Sequence, residues 1–209
     1  MQVKICGITR TDDALVAVEA GADAIGLIFY AGSKRFVNPD TAADIISNVL
    51  PYTSIVGLFV NADAEYVQTV LNHCPLSQLQ FHGDESPEFC SSFNRPYVKS
   101  VPVSSAGNMS KIVAAHRNAR AYLFDTQVPG EHGGTGKSFD WQLMPKKNIG
   151  HRVLAGGLDA ENVAEAIRIA GPDAVDVSSG VEVSPGKKDH DKLYRFIRAA
   201  KRADEVVVK

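Results

Sequence analysis

Two side chains of this sequence, a thiol and a carboxyl group, could transfer protons. Each stands at the end of a short apolar run that is typical of a buried strand. Cys6 ends the run 3–6, and Asp125 ends the run 121–125. A thiol in a polar pocket can act as a base or a nucleophile if its pKa falls, and a buried carboxyl group that stays protonated can act as an acid. The alternatives are a small packing residue for Cys6 and a turn cap for Asp125.

Two further side chains near predicted strand ends, Arg35 and His82, could contact a substrate. The guanidinium of Arg35 is permanently charged and suits a carboxylate held by two parallel hydrogen bonds, the alternative being a solvated loop charge. His82 could polarise a substrate group or bond to the backbone, and for this residue we favour the structural role.

Glycine pairs follow the last two predicted strands. Gly156-Gly157 and Ser179-Gly180 leave backbone N–H groups uncovered, and short helical turns there would aim further N–H groups at an anion. A tight turn is the alternative for either pair alone, whereas both together favour a phosphate site. A third glycine-rich segment, 130–138, ends like the phosphate-binding loop of nucleotide hydrolases, but Glu131 stands where that motif requires glycine. We expect this segment to fold over a ligand instead.

The elements that must position these residues form an alternating pattern. Apolar runs that predict strands lie at residues 3–6, 24–29, 54–60, 77–82, 97–101, 121–125, 152–155 and 174–178. Most are nearly continuous in apolar character, which indicates burial on both faces, as in a parallel sheet. Helical patterns follow most of them, although the sixth is followed only by a short candidate at 139–143.

This alternation predicts a (β/α)8 barrel that forms a single domain over residues 1–209, with a doubly wound open sheet as the alternative. In such a barrel the carboxyl ends of all strands share one rim, where active sites lie. The loops after strands seven and eight are the usual phosphate site. The barrel would therefore bring the candidate acid, base and phosphate loops together.

The composition fits such a domain and narrows its partners. The chain has 209 residues, of which 44% are hydrophobic and 22% charged, with a net charge of −2, so neither disorder nor a nucleic-acid or membrane partner is expected. Three scattered cysteines argue against a disulfide framework or a zinc site and favour the cytoplasm. We interpret one set of basic residues as the solvated face of the last helix: Lys187, Lys188, Lys192, Arg195, Arg198, Lys201 and Arg202.

Several motifs, in order along essentially the whole chain, resemble the phosphoribosylanthranilate isomerase family of tryptophan biosynthesis. The most specific are Lys4-Ile5-Cys6-Gly7-Ile8-Thr9 and Asp176-Val177-Ser178-Ser179-Gly180-Val181-Glu182. Further similarity lies in Ser33-Lys34-Arg35, Gln80-Phe81-His82-Gly83-Asp84-Glu85, Gly133-Gly134-Thr135-Gly136 and Leu154-Ala155-Gly156-Gly157-Leu158. One departure is Phe81, where leucine is expected, and we interpret it as a packing change.

The resemblance implies a (β/α)8 enzyme that performs an Amadori rearrangement of N-(5′-phosphoribosyl)anthranilate. It implies that Asp125 is the general acid, that Cys6 is the general base and that Arg35 lies near the anthranilate carboxylate. The remaining substrate contacts that it implies are His82, Gly133, Gly134, Gly156, Gly157, Asp176, Ser179 and Gly180. The rearrangement is an internal redox isomerisation, so no cofactor and no metal are expected, and the protein is expected to be a monomer or a homodimer.

Two other functions remain open. The histidine-pathway isomerase of the same fold performs this rearrangement on another substrate, but that family resembles this chain less, because it uses an aspartate where Cys6 stands. A catalytically silent ligand-binding barrel would keep the phosphate loops without needing both Cys6 and Asp125. The loss of substrate fluorescence on turnover would distinguish these three functions.

Overall fold

The barrel architecture is confirmed in a computed structural model, which describes residues 1–103, 108–126, 139–145 and 149–207. Eight parallel strands close into a barrel in chain order, so the alternative of an open doubly wound sheet is wrong. The strands are β1 (Gln2–Cys6), β2 (Ala24–Ile28), β3 (Ser54–Phe59), β4 (Gln78–Phe81), β5 (Tyr97–Val103), β6 (Ala121–Thr126), β7 (His151–Leu154) and β8 (Ala174–Val177).

The seam between the first and last strands closes the barrel. β1 pairs with β8 in parallel, with Lys4 opposite Asp176 and Ile5 opposite Val177. On its other side β1 pairs with β2, where Cys6 lies opposite Gly26. Because all the strands are parallel, their carboxyl ends form one rim, and Cys6 stands at that rim.

Helices follow most strands and cover the barrel. They are α1 (Thr11–Glu19), α2 (Pro39–Asn48), α3 (Ala64–His73), α4 (Pro87–Ser91), α5 (Met109–Ala115), α6 (Val163–Ala170) and α7 (His190–Val207). Side-chain oxygens of Asn38, Asp63 and Ser86 accept hydrogen bonds from the first turns of α2, α3 and α4. Among the described residues between β6 and β7, the helical element is a short 3-10 turn, Trp141–Leu143, within the short segment that the sequence predicted. No helix of the described residues is both long and apolar enough to cross a membrane.

A small antiparallel hairpin was not predicted. It consists of β9 (Glu182–Ser184) and β10 (Lys187–Lys188) and precedes α7. The placement of Lys187 and Lys188 on the solvated face of the last helix is therefore wrong, and Lys188 is only 2% exposed. Its ammonium is buried because a carboxylate and two carbonyl oxygens surround it, as described below.

The departure at Phe81 is explained by aromatic packing. Phe81 is fully buried, and its ring lies 5.8 to 6.2 Å from the rings of Phe59, Phe89, Phe93 and Tyr97. These rings join β3, β4 and β5 to α4 and the residues just after it. Since aromatic pairs at such separations add stability beyond their buried area, the expected packing role is confirmed.

Candidate active site

A pocket at the carboxyl rim brings together most of the residues singled out from the sequence. They are Cys6, Arg35, His82, Asp125, Gly156, Gly157, Asp176 and Ser179. Ser178 and the apolar side chains Ile28 and Leu58 also line this pocket. Gly180 lies in the 3-10 turn Ser179–Val181 beside it. Gly133 and Gly134 lie outside the described residues.

Cys6 lies in a buried and strongly charged environment. Cys6 is the last residue of β1 and is 5% exposed. Burial raises the pKa of the Cys6 thiol, and the nearby Asp176 carboxylate raises it further, whereas the ammonium groups of Lys4 and Lys188 lower it. The net effect is a raised pKa, so the two lysines are the groups that favour a thiolate here.

Lys4 is a charged residue of this site that the sequence interpretation missed. Its Nζ atom lies 3.0 Å from both carboxylate oxygens of Asp176, and both side chains are largely buried. Burial acts to lower the pKa of Lys4, but Asp176 and Cys6 outweigh it, so the pKa is raised and the ammonium stays charged. The signal in the sequence was the spacing, because Lys4 and Cys6 are two residues apart on a strand and point to the same side.

Asp125 is paired with His82 across the rim. The Nε2 atom of His82 lies 3.5 Å from Oδ2 of Asp125, and Oδ1 of Asp125 accepts a hydrogen bond from the backbone of Thr126. The other ring nitrogen of His82 lies 3.1 Å from Nε2 of Gln80, which is buried. If the Gln80 amide donates, the proton of the ring is on Nε2 and faces Asp125. The ring therefore contacts two side chains, whereas the sequence favoured a bond to the backbone.

Arg35 is fixed by a carboxylate of the protein itself. Its Nε and Nη2 atoms donate to the two carboxylate oxygens of Glu182, at 2.8 and 2.7 Å. The alternative of a solvated loop charge is wrong, because the Arg35 side chain is only 11% exposed. Burial acts to raise the pKa of Glu182, but Arg35 and Lys188 outweigh it and lower the pKa, so this carboxylate is ionised. The N–H groups of Arg35 that Glu182 does not use remain for a ligand in the pocket.

Lys188 links the hairpin to the ends of two barrel strands. Its Nζ atom donates to the carbonyl oxygens of Cys6 and Ser178, at 2.6 and 3.1 Å, and to Oε1 of Glu182, at 2.9 Å. Burial lowers the pKa of Lys188, although Glu182 opposes this effect. The sequence contained a signal for Glu182, which ends the quoted strand-eight motif, but none that placed Lys188 near Cys6, which lies 182 residues away.

The loops after β7 and β8 have the backbone geometry expected of an anion site. Gly156 and Gly157 both have positive φ values, +84° and +63°. A Cβ atom on Gly156 would overlap the hydroxyl of Thr126 and lie 2.8 Å from Oδ1 of Asp125. Ser178 lines the same pocket, and its hydroxyl is buried near Gly7 and has no hydrogen-bond partner among the described residues. A buried donor without a partner is energetically costly.

The described residues contain no group of three or more His, Cys, Asp or Glu side chains arranged to hold a metal ion. The charged side chains that line the rim pocket are Arg35, Asp125 and Asp176. Behind them, the buried Lys4 pairs with Asp176, and Glu182 pairs with both Arg35 and Lys188. Such a site can bind an anionic ligand and hold an acid and a base around it.

Comparisons with known proteins match one family along nearly the whole chain. Residues 3–199 match the family model described as N-(5′-phosphoribosyl)anthranilate (PRA) isomerase. A relative of that name from Acidithiobacillus ferrooxidans is 53% identical over 198 residues, which cover 94% of this chain and 96% of the relative. A second, from Pseudomonas fluorescens, is 50% identical over 200 residues, covering 96% and 95% of the two chains.

Solved structures give the same result. The crystal structure of phosphoribosyl anthranilate isomerase from Thermotoga maritima is 42% identical, with a TM-score of 0.89, and the match covers 97% of this chain and 99% of the other. Another structure of such an isomerase, in complex with reduced 1-(o-carboxyphenylamino)-1-deoxyribulose 5-phosphate, is 41% identical. Its TM-score is 0.87, with the same coverage of the two chains.

Proposed function

Because this chain belongs to the N-(5′-phosphoribosyl)anthranilate isomerase family, we propose that its rim pocket isomerises N-(5′-phosphoribosyl)anthranilate by general acid–base catalysis. The product is 1-(2-carboxyphenylamino)-1-deoxyribulose 5-phosphate. The observation that carries the mechanism is the placement of Cys6 and Asp125 in one pocket, on β1 and β6. The glycine loops that follow β7 and β8 lie between those two strands, where a sugar phosphate would be held between an acid and a base.

The first step is ring opening by Asp125. The carboxyl group donates its proton to the furanose oxygen while the bond between C1 and that oxygen breaks. The anthranilate nitrogen supplies its electron pair to C1 and forms a protonated Schiff base. The carboxylate that remains can accept a hydrogen bond from His82, whose Nε2 atom lies 3.5 Å away.

The second step is removal of the C2 proton by Cys6. The thiolate takes this proton, and the electrons of the C–H bond form the C1–C2 double bond as the nitrogen becomes neutral. The resulting enolamine then becomes the ketone, as C1 gains a proton and the C2 hydroxyl loses one. Atoms and electrons balance without an external oxidant or reductant. Each proton transfer of this kind contributes roughly 10²–10⁴-fold to the rate.

The binding contacts follow from the charges and N–H groups around these two residues. We place the phosphate on the backbone N–H groups of Gly156, Gly157, Ser179 and Gly180. Arg35 meets the anthranilate carboxylate through the N–H groups that Glu182 leaves free. Gly133 and Gly134 stay in the proposal as substrate contacts on the basis of the sequence motif alone.

A fluorescence assay tests this function. The anthranilate fluorescence of the substrate should fall when the purified protein is added, and Cys6→Ser and Asp125→Asn should each abolish the fall. Cys90→Ser is a matched control, because Cys90 lies buried in α4, away from the rim pocket, and this variant should stay active. No fluorescence change with wild-type protein would contradict the activity and favour a silent binding barrel. Turnover of the histidine-pathway substrate at a comparable rate would favour that family instead.

We further propose that the chain is one domain that acts in the cytoplasm as a monomer or a homodimer. Cys6, Cys74 and Cys90 are free and buried, which suits a reducing compartment. A similar structure, 42% identical, is described as mutually generated monomers of a dimeric isomerase from Thermotoga maritima. Light scattering on the eluting peak of a size-exclusion column would give the oligomeric state of this chain.

A further inference from the structure

We propose that Lys4 is a positioning residue that keeps the Cys6 thiolate available, by holding a positive charge beside its sulfur, and that Asp176 fixes Lys4 in that place. This inference rests on the proposed role of Cys6 as the base. Lys4 acts through Cys6 and has no chemical step of its own. Three neighbouring strands, β8, β1 and β2, build the arrangement.

The register of the barrel places the three charged or polar groups together. Lys4 and Asp176 are direct partners in the pairing of β1 with β8, and the ammonium lies 3.0 Å from both carboxylate oxygens. Lys4 and Cys6 are two residues apart on β1, so their side chains point to the same side of the strand, toward the barrel axis. Their spacing on β1 and the pairing with β8 therefore bring one cation to the thiol.

Gly26 supplies the space in which the ammonium and the thiol meet. It lies opposite Cys6 in the pairing of β1 with β2. A Cβ atom at Gly26 would lie 2.8 Å from Sγ of Cys6 and 3.1 Å from Nζ of Lys4. The sulfur and the nitrogen thus approach the same point, which a side chain at residue 26 would fill. An opposite charge at such range favours the ionised form of a thiol.

Among the other charged groups around Cys6, Lys188 also lowers the pKa of the thiol, but less than Lys4 does. Lys188 donates to the backbone oxygen of Cys6, whereas Nζ of Lys4 lies near the point beside Gly26 that the sulfur of Cys6 also approaches. Arg35 and Lys188 share the Glu182 carboxylate, and Lys4 is held by Asp176. The remaining titratable groups that line the pocket face Cys6 from β4, β6 and β8, and they are His82, Asp125 and Asp176. Lys4 is the cation whose ammonium shares the side of β1 from which the sulfur projects. The direction of its effect agrees with this geometry, because Lys4 lowers the pKa of the Cys6 thiol, whereas burial and Asp176 raise it.

Two substitutions that break the same ion pair separate this role from a structural one. Lys4→Met removes the cation and leaves the Asp176 carboxylate, so the thiol pKa should rise by about one unit. Asp176→Asn removes the negative charge but keeps an amide oxygen that can accept a hydrogen bond from the Lys4 ammonium, so the cation stays in place and the thiol pKa should fall. Lys4→Arg keeps the positive charge, so its thiol pKa should stay close to that of the wild-type protein. If the Lys4–Asp176 ion pair were purely structural, the pKa of the Cys6 thiol would shift in the same direction in both variants, or would not shift.

The measurement is the pH dependence of iodoacetamide alkylation at Cys6, followed by peptide mass spectrometry on the full-length protein. At a fixed pH below the thiol pKa, Lys4→Met should react about tenfold more slowly than the wild-type protein, and Asp176→Asn faster. The peptides of Cys74 and Cys90 serve as internal controls, whose profiles should not move. Circular dichroism checks that each variant is folded. If Lys4→Met fails to fold, an unchanged or raised thiol pKa in Asp176→Asn overturns the proposal.

The alkylation readout does not depend on turnover. Opposite shifts in the two variants support the coupling of Lys4 to Cys6 even if Cys6→Ser turns out to be active, a result that would remove only the catalytic role. Conversely, an inactive Cys6→Ser together with unchanged alkylation profiles would keep the base and overturn the role of Lys4. When both proposals hold, the acid limb of kcat/KM should move to higher pH in Lys4→Met and to lower pH in Asp176→Asn.

Discussion

His82 and Asp125 face each other across the rim with 3.5 Å between Nε2 and Oδ2, although they stand on the ends of β4 and β6. The pair couples the proposed acid to a ring that Gln80 orients from the buried part of β4. An acid that donates its proton at each turnover must bear a carboxylate afterwards, and the ring is placed to stabilise that form.

The first prediction concerns the acid. Asp125→Asn should lower kcat by at least about 10², because an amide is a very poor proton donor to the furanose oxygen. Substrate affinity should stay within about tenfold, since the phosphate and carboxylate contacts come from other loops. Steady-state kinetics with the fluorescence assay check both numbers. Near-normal turnover would remove Asp125 from the mechanism.

The second prediction concerns the pH dependence that the base imposes. Burial raises the pKa of Cys6 above the usual value of a thiol, about 8.5, so the thiolate is a minor form at neutral pH. A base is active when deprotonated, so kcat/KM should rise with pH through the neutral range and level off only above that pKa. The Cys6→Ser variant should show almost no activity at any of these pH values, because a hydroxyl is far less acidic. A pH-independent kcat/KM from pH 6 to 9 would argue against a thiolate base.

The third prediction concerns stability at the Glu182 carboxylate. Glu182→Gln leaves the buried cations Arg35 and Lys188 without their counter-charge and should lower the free energy of unfolding by about 3 kcal/mol at neutral pH. The folded-state pKa of Glu182 is lowered, so its contribution is present above the unfolded value, 4.5, and is lost as the pH falls through the folded value. Urea unfolding at pH 7 and pH 3.5 should therefore show a smaller difference between variant and wild-type protein at the lower pH. An equal difference at both would contradict this account.

The fourth prediction compares two glycines with positive φ. Gly156→Ala should lower kcat/KM at least about tenfold, because its methyl would displace Asp125 and Thr126 beside the phosphate loop. Gly171→Ala is the matched control, since Gly171 also has a positive φ, +54°, but ends α6 with nothing within 4 Å of the added methyl. The control should lose about 1 kcal/mol of stability and keep its activity. Equal activity loss in both would trace the effect to backbone strain alone.

The fifth prediction concerns the anion site. Inorganic phosphate should inhibit competitively at millimolar concentrations, because its oxygens would accept hydrogen bonds from the N–H groups of the loops after β7 and β8. Absence of inhibition, or inhibition that is not competitive with the substrate, would contradict the assigned phosphate site.

The barrel and much of its rim could be predicted because both depend on local patterns. Short apolar runs mark buried parallel strands, and the residues at the end of each run fall on the rim, so the sequence alone predicts Cys6 and Asp125. The groups that set their charges could not be found in the same way. Lys188 contacts Cys6 from 182 residues away, and nothing near it in the sequence marks a lysine that will be buried. Lys4 was overlooked because a lysine within an apolar strand is usually solvated, and only the Asp176 carboxylate opposite it makes burial tolerable.

The pairing of β1 with β8 also determines when the thiol of Cys6 acquires its environment. Lys4 and Asp176 are separated by 172 residues, so this ion pair cannot form on a nascent chain before the eighth strand has left the ribosome. Until then β1 has no partner on its β8 side, and Lys4 lacks the carboxylate that holds it. Closure of the barrel brings Asp176 to the lysine that already accompanies Cys6 on β1. The alkylation rate of Cys6 should therefore report whether β8 has joined β1, at the residue proposed to carry out the chemistry.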